Sequence, residues 1–466
     1  MVLIGNGMSG FKFCEKFLKY GVNKKYDLVV FGEEYFPAYD RVNLTKYIHG
    51  TPAANLYLAP VAWYANNGIT LHTNEKVSEL NTVQQWIKTS KGKTETYDKL
   101  IFATGSKPYV PANANLQLPG VFVYRTIKDL DSLKKYSTHS KRAIIAGGGV
   151  LGLEAAAAMQ QLRLKVTITE RNQALMHRQL DETASGMVKN AVEASGIEVL
   201  LNTTIGAIEG SEKVTGVTLS DGALLETDMV IYIAGITPND ELASNSGIIT
   251  AKSGGIVVNN YGLSSNENVY AIGECVSSYN RSWGLVLPCY EMAEVLAARF
   301  GGIFKAFSGK ELFTKLKMSG LNLVCFGDSN SLDGLQFSQS NAETGTYKRL
   351  NTDNSGNILT GGILLGDTSM FLPLLQMLRN KTRIDDPSRL IEESLSLNEM
   401  GLQAMPDSTK ICHCTGVTKG TILKSIKELT LTRFDEVRLH TGAGTGCESC
   451  TSSIEELLEI VNNQSN

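Results

Sequence analysis

Proline is sparse in this 466-residue sequence, 11 residues against 44 glycines, and neither sign of charge prevails. Lys and Arg number 44 and Asp and Glu 47, a formal charge of −3, which excludes an electrostatic nucleic-acid binder. No stretch approaches the ~18 consecutive apolar residues that would cross a bilayer. Met1 to Gly5 places no basic segment ahead of an apolar one, so the sequence reads as cytoplasmic, without a secretory leader. With 42% hydrophobic and 20% charged residues the composition is that of an ordinary globular chain. Its length suits about three domains. Disorder, a membrane span and a secreted disulfide scaffold are thereby excluded. With so little proline, the glycines are expected at close backbone approaches rather than in flexible linkers.

Cysteine is scarce too, and its eight copies are unevenly placed. Cys14, Cys275, Cys289 and Cys325 are scattered, as small buried hydrophobes are. Cys412, Cys414, Cys447 and Cys450 crowd toward the C-terminal end. In a cytosolic protein such a set points to metal or cluster ligation rather than to disulfides.

What the sequence does hold begins at once. Val2-Leu3-Ile4 runs into Gly5-Asn6-Gly7-Met8-Ser9-Gly10, followed by helical spacing at Phe13, Phe17 and Leu18. A second apolar run, from Asp27 to Phe31, ends in Glu33 and Glu34. Glycines 5, 7 and 10 allow a tight turn and a close approach of backbone N–H groups to a pyrophosphate at a helix N-terminus. An acid at the end of the next strand accepts from a ribose hydroxyl. The arrangement returns in full. Ala143 to Ala146 leads into Gly147-Gly148-Gly149-Val150-Leu151-Gly152, an Ala-rich helix follows over 153–159, and the strand from Lys165 ends in Glu170. Two fingerprints imply two dinucleotides, and a flavin with a nicotinamide is the usual pair. Glu170 would bond a 2′-hydroxyl and repel a 2′-phosphate, which predicts NADH rather than NADPH, although Arg171 beside it could soften the preference. Two further strands, Leu100 to Gly105 and Val269 to Glu274, end in the small residues that a chain needs beside a bound cofactor.

At these residues the sequence resembles the two-dinucleotide-fold flavoprotein reductases, relatives of ferredoxin and rubredoxin reductases. The resemblance implies FAD on Gly5, Gly7, Met8 and Gly10 and NAD(P)H on Gly147, Gly149 and Gly152. It makes Ala103, Thr104 and Gly105 the crossing between domains. Gly273 and Glu274 fall at the place of the flavin's ribityl contact, where the family usually has Asp. The stretches 4–8, 31–34, 38–42 and 272–275, with Thr314 to Lys317 and Gly361 to Thr368, are similar to the family of assimilatory NAD(P)H nitrite reductase large subunits. That likeness covers the diaphorase half and not the sirohaem half. It implies cofactor contacts at Glu33, Glu34, Arg41, Val77, Glu170 and Gly235. Lys46 would be a cation near the flavin N5, where it stabilises charge on the reduced ring, and Glu154 would lie at the flavin–nicotinamide junction. From the residues alone, Lys46 could be a solvated helix end and Glu154 an exposed helix residue. The relatives carry several more residues before the first strand. Here only Val2, Leu3 and Ile4 follow Met1 before Gly5, against ~5–6 for a common strand, so a longer natural form that holds FAD better is expected.

The C-terminal set reads Cys412-His413-Cys414 and Cys447-Glu448-Ser449-Cys450, with Gly442, Gly444 and Gly446 offering N–H groups before the second pair. Four thiolates suit zinc or an iron–sulfur cluster. Cys-x-Cys falls outside the usual zinc spacing, and zinc would be redox-inert beside a flavin. The pattern is similar to the bacterioferritin-associated ferredoxin-like domain, which implies a 2Fe-2S cluster. His413 and His440 read as neighbours rather than ligands.

The expected fold is α/β. It comprises two Rossmann-like domains for FAD (1–112 and 245–305) and NAD (113–244), and a small α+β interface domain (306–385). A polar, partly helical linker (386–407) leads to a small, mainly helical 2Fe-2S domain (408–466). The implied function is transfer of electrons from NADH through FAD and the cluster to a nitrite or nitrate reductase catalytic subunit or another acceptor protein. Neither nucleic acid nor membrane takes part, and a homodimer is admitted. Two alternatives stay open. A self-contained NADH oxidase or disulfide reductase would need a redox cysteine near residues 40–50 or a Cys-x4-Cys pair, and only Cys14 is nearby. An iron- or redox-sensing module would have vestigial nucleotide folds.

Overall fold

The computed structural model describes residues 1–279, 281–309, 313–318, 320–391, 402–403, 405–412, 415–445 and 450–463. They divide into two compact units, Met1–Tyr109 with Gly235–Glu311, and Val110–Ala234 with Leu312–Asn466.

The first unit is built on a five-stranded sheet, parallel throughout, in the order Val269–Ala271, Leu100–Phe102, Val2–Ile4, Leu28–Phe31, Ile69–His72. Val2–Ile4 is central and wholly buried, which explains why it is apolar at every position rather than at alternate ones. The helix Met8–Lys19 follows and buries Phe13 and Phe17. A three-stranded antiparallel meander, Val77–Asn81, Trp86–Thr89 and Thr94–Thr96, lies between the third strand and the return to the sheet. Helix Val286–Phe300 is tied to Met8–Lys19 by Glu294, which meets Lys16 and Lys305 at 2.9 Å and accepts from the Tyr20 hydroxyl at 2.7 Å. The sequence suggested a strand running through Glu274. The strand instead stops at Ala271, and Gly273–Cys275 form a 3-10 turn. Gly273 has φ +83, and a Cβ there would meet Ser9 Oγ at 2.6 Å, so the turn requires glycine at this position.

The second unit opens with the same plan. Its parallel sheet runs Glu198–Leu200, Lys165–Thr169, Arg142–Ala146, Met229–Tyr232, Val121–Val123, with the helix Val150–Gln161 after the central strand. Again a three-stranded meander follows, Ile205–Glu209, Gly216–Leu219 and Leu224–Glu226. The same unit holds a five-stranded antiparallel sheet, ordered Phe313–Met318, Leu321–Gly327, Leu359–Leu365, Thr346–Thr352, Gln336–Asn341. Helix Phe371–Asn380 packs on it through Phe371, whose ring lies 5.2 Å from Phe313 and 6.0 Å from Phe326. Pro387–Leu390 is a 3-10 turn, and half of the expected linker lies outside the described residues. The last part is mainly helical: a short hairpin, Lys410–Cys412 with Val417–Thr418, then Lys419–Leu429, Phe434–Thr441 and Thr451–Asn463 around Ile422, Ile426, Val437, Ile454 and Leu457. Among the described residues, no helix is long and apolar enough to cross a membrane.

Candidate functional site

The first fingerprint folds as a turn whose outer glycines are demanded by backbone packing. Gly5 has φ +113, and a Cβ on it would lie 2.2 Å from the Ala103 carbonyl oxygen; a Cβ on Gly10 would lie 2.2 Å from the Gly5 carbonyl oxygen. The fingerprint and the Ala103-Thr104-Gly105 turn are therefore one construction, joined also by the Ala103 N–H donating to Ile4 at 2.7 Å. At Gly7 no protein atom lies within 4 Å of a Cβ position. Gly7 caps the helix Met8–Lys19 without a side-chain hydrogen bond, which leaves first-turn N–H groups for an anion. Asn6 adds an orphan donor. Its Oδ1 accepts from the Tyr64 hydroxyl at 2.9 Å, while its buried Nδ2 has no partner. Open space, unused helix donors and an unpaired amide all fit a dinucleotide pyrophosphate.

The two acids after the second strand divide. Glu33 is exposed and meets Lys76 at 3.1 Å. Glu34 turns to Arg41 and accepts from the Tyr39 hydroxyl at 2.6 Å. Arg41 also donates to the Tyr39 hydroxyl at 2.9 Å and lies over that ring. Burial alone would lower the Arg41 pKa, but Tyr39, Glu34 and Glu274 outweigh it and hold the guanidinium charged. Glu274 accepts from Ser106 Oγ at 2.7 Å. Lys46 is exposed on the short helix Leu44–Ile48, and Val77 is buried at the start of its strand. Thr104 Oγ1 donates to the Asn239 carbonyl at 2.7 Å and Asn239 Nδ2 returns to Thr104 at 2.9 Å. Gly235, at φ +115 with open space around it, accepts from the Tyr109 N–H at 2.9 Å.

The second fingerprint repeats the first nearly atom for atom. A Cβ on Gly147, at φ +134, would meet the Ile233 carbonyl oxygen at 2.3 Å; one on Gly152 would meet the Gly147 carbonyl oxygen at 2.0 Å; at Gly149 nothing lies within 4 Å. Glu170 differs from its counterparts. It is buried, one carboxylate oxygen accepts from the Gly148 N–H at 2.7 Å, and the other accepts from the Asn172 N–H at 2.9 Å and from the Asn172 side chain. A carboxylate offers about four lone-pair sites, so capacity for a ribose hydroxyl remains. Glu154, expected either at a cofactor junction or on an exposed helix face, is 7% exposed. The exposed alternative is thereby overturned. Arg171 is exposed.

Of the four C-terminal thiols, Cys412 and Cys450 are buried, while Cys414 and Cys447 lie outside the described residues, as do His413 and Gly446. The buried hydroxyl of Thr415 has no hydrogen-bond partner, as it would beside an acceptor such as a cluster sulfur. Cys450 precedes the first residue of helix Thr451–Asn463, and the Ile454 N–H donates to its carbonyl at 3.0 Å. One expectation fails. The Gly442 N–H is not available to a cluster, because it donates to Arg438 at 3.0 Å as the left-handed cap of helix Phe434–Thr441.

The scattered cysteines are all buried. Burial pushes the thiols of Cys14 and Cys275 up, and that of Cys325 up to about 12. None of them offers an accessible thiolate. Sequence reasoning missed Asn6, Tyr39, Ser106 and Asn172. Asn6 sits within the first motif and Ser106 directly after the Ala103-Thr104-Gly105 turn, where a polar residue was the available signal.

Residues 1–293 match the family described as pyridine nucleotide-disulphide oxidoreductase. Residues 313–382 match the rubredoxin NAD+ reductase C-terminal domain, and 410–460 the BFD-like [2Fe-2S] binding domain. The chain is 35% identical to the nitrite reductase [NAD(P)H] large subunit of Klebsiella oxytoca, over 98% of its own length and 48% of that protein's. It is 34% identical to the assimilatory nitrate reductase electron transfer subunit of Bacillus subtilis, over 99% of its length and 60% of that subunit's. It thus spans about half the length of the curated relatives it matches. The structure of a covalent putidaredoxin reductase–putidaredoxin complex shares its fold at a TM-score of 0.77 and 24% identity, covering 86% of this chain and 97% of that one.

Proposed function

Because the chain belongs to the pyridine nucleotide-disulphide oxidoreductase family, we propose that it is an NADH-dependent FAD flavoprotein that delivers electrons through a 2Fe-2S cluster to a catalytic subunit reducing nitrite or nitrate. One observation carries this reading. A single chain holds two open dinucleotide turns together with a BFD-like [2Fe-2S] binding domain, and no accessible thiol is found among the scattered cysteines. A bound flavin supplies the conversion that such a chain requires, since a nicotinamide gives two electrons together and a 2Fe-2S cluster takes one at a time.

The chain's own residues orient, charge and insulate. Gly7 with the first turn of Met8–Lys19 would hold the FAD pyrophosphate, and Asn6 Nδ2 would add a donor. Arg41, kept charged by Glu34 and Tyr39, and the exposed Lys46 would supply positive charge to the flavin. Gly149 and Glu170 would hold the nicotinamide dinucleotide, and the negative Glu170 would favour NADH. Buried Glu154 belongs to the nicotinamide site in this reading. Cys412, Cys414, Cys447 and Cys450 would ligate the cluster. Domain limits of 1–112 with 245–305, 113–244, 306–385 and 408–466, and a cytoplasmic location, accompany the proposal.

A disulfide reductase is disfavoured by the burial of Cys14, the one cysteine near the first fingerprint. The experiment is reduction by NADH of purified protein mixed with a nitrite or nitrate reductase catalytic subunit and that subunit's nitrite or nitrate. The expected result is NADH-dependent product formation that needs both proteins. NADH-driven dye reduction with no transfer to either subunit would reject the partner, and no dye reduction at all would favour a sensing module.

A further inference from the structure

The segment 170–181 connects the strand Lys165–Thr169 to the helix Glu182–Ala194 and starts at the acid proposed for the nucleotide ribose. Its first half is held by the nucleotide fold itself. Glu170 binds the Gly148 N–H and Asn172, and the Met176 N–H donates to the Gly148 carbonyl at 3.0 Å. Leu175 lies against Gly148, where a Cβ would meet its Cδ2 at 2.6 Å. Met176 adopts φ +50, an unfavourable conformation for a non-glycine residue. The surroundings must therefore hold it.

The second half is held by the antiparallel sheet domain in the same unit. Asn330 Nδ2 donates to the His177 carbonyl at 2.9 Å and Ser329 Oγ to the Gln179 carbonyl at 2.8 Å. Arg349 Nη1 donates to Asp181 Oδ2 at 2.9 Å, and the Tyr347 hydroxyl donates to the same oxygen. The other oxygen of Asp181 caps the following helix through the Ala184 N–H at 2.9 Å. The segment offers acceptors and the sheet domain offers donors. Those donors are themselves fixed. Arg349 is 6% exposed, with Nε donating to Asn351 and Nη2 to the Ser331 carbonyl at 3.0 Å. Asn351, fully buried, donates to the carbonyls of Asp328 and Ser329 at 2.7 and 2.9 Å.

We propose that Arg349, Ser329 and Asn330 are positioning residues for the pyridine nucleotide: the sheet domain latches 170–181 in the shape that presents Glu170 and Gly148 to the cofactor. The sheet domain thereby sets nucleotide affinity without touching the nucleotide. The inference rests on the NADH-binding part of the proposed function and is independent of any acceptor protein.

The test is NADH binding and dye reduction by FAD-loaded full-length protein carrying Arg349→Ala, Arg349→Lys, or the milder pair Ser329→Ala with Asn330→Ala, which covers the case that Arg349→Ala does not fold. Hydrogen exchange over 170–181 reports whether the latch is open. The expected result is faster exchange in that segment, a rise in the NADH KM of about fivefold or more, and kcat with a small dye and FAD content unchanged. Arg349→Lys should recover part of the affinity. Faster exchange with an unchanged NADH KM would overturn the proposal, as would a loss of kcat equal to the rise in KM, which marks a general structural defect. Failure of the partner proteins to accept electrons would leave both readouts unaltered, so the two proposals fail separately.

Discussion

The two nucleotide folds share the order of four sheet strands, their meander and the atom-level logic of their glycines, and they part at the acid. In the first, Glu33 reaches into solvent beside Lys76 while Glu34 is spent on Arg41 and Tyr39. In the second, the single Glu170 is buried and bonded to its own fingerprint turn. The glycine turns are thus alike in their backbone packing, and the two folds differ in how their acids are bonded. The first fold surrounds its acid with cations. In the second, the segment that begins at the acid accepts hydrogen bonds from Ser329, Asn330 and Arg349 of the antiparallel sheet.

The largest effect separates both folds from the cluster. Cys447→Ser should abolish or nearly abolish transfer to a protein acceptor by removing one thiolate, while NADH still drives reduction of a small dye, as rates in the two assays will show. The next separates the folds from each other. Gly149→Ala should raise the NADH KM about tenfold and leave FAD content untouched, and Gly7→Ala should do the reverse. Neither Cβ meets protein, so the melting temperature of the cofactor-free chain should hold. Gly147→Ala, by contrast, should cost about 2 kcal/mol or more in denaturant unfolding, because both φ +134 and the Ile233 carbonyl oppose it.

A smaller change tests the acid. Wild-type kcat/KM should favour NADH, and Glu170→Ala should narrow the NADH to NADPH ratio about tenfold. The smallest concerns Glu294 in the first unit. Burial alone would raise its pKa, but Lys305, Tyr20 and Lys16 outweigh this and hold the carboxyl well below the ordinary carboxylate range. A depressed folded pKa stabilises the fold above about pH 4.5 and is lost as pH falls further. Glu294→Gln should therefore lower stability by about 1 kcal/mol at neutral pH and flatten the acid side of the melting-temperature profile.

Much of this was legible in the sequence, for a physical reason. Glycines that allow a helix N-terminus to approach a phosphate must stand at fixed spacing after a buried apolar strand, so residues 2–10 and 143–152 announce themselves. The paired Cys412-x-Cys414 and Cys447-x2-Cys450 do so equally. Arg349, Tyr347 and Asp181 do not, since 168 residues separate Arg349 from its carboxylate partner and no local pattern marks a long-range ion pair. The need for glycine at position 273 was hidden likewise, because the side chain that a Cβ there would meet, Ser9, lies in a distant segment. The Gly442 N–H was misread because a glycine after a helix caps it as readily as it serves a ligand.

An anaerobic titration of the FAD- and cluster-loaded protein with NADH, followed by absorbance and by electron paramagnetic resonance, bears most directly on the central claim. The account predicts that flavin absorbance bleaches, that the signal of a reduced 2Fe-2S cluster appears, and that both revert once the acceptor subunit and an excess of its nitrite or nitrate are added. A fully bleached flavin beside a cluster that stays oxidised would contradict it.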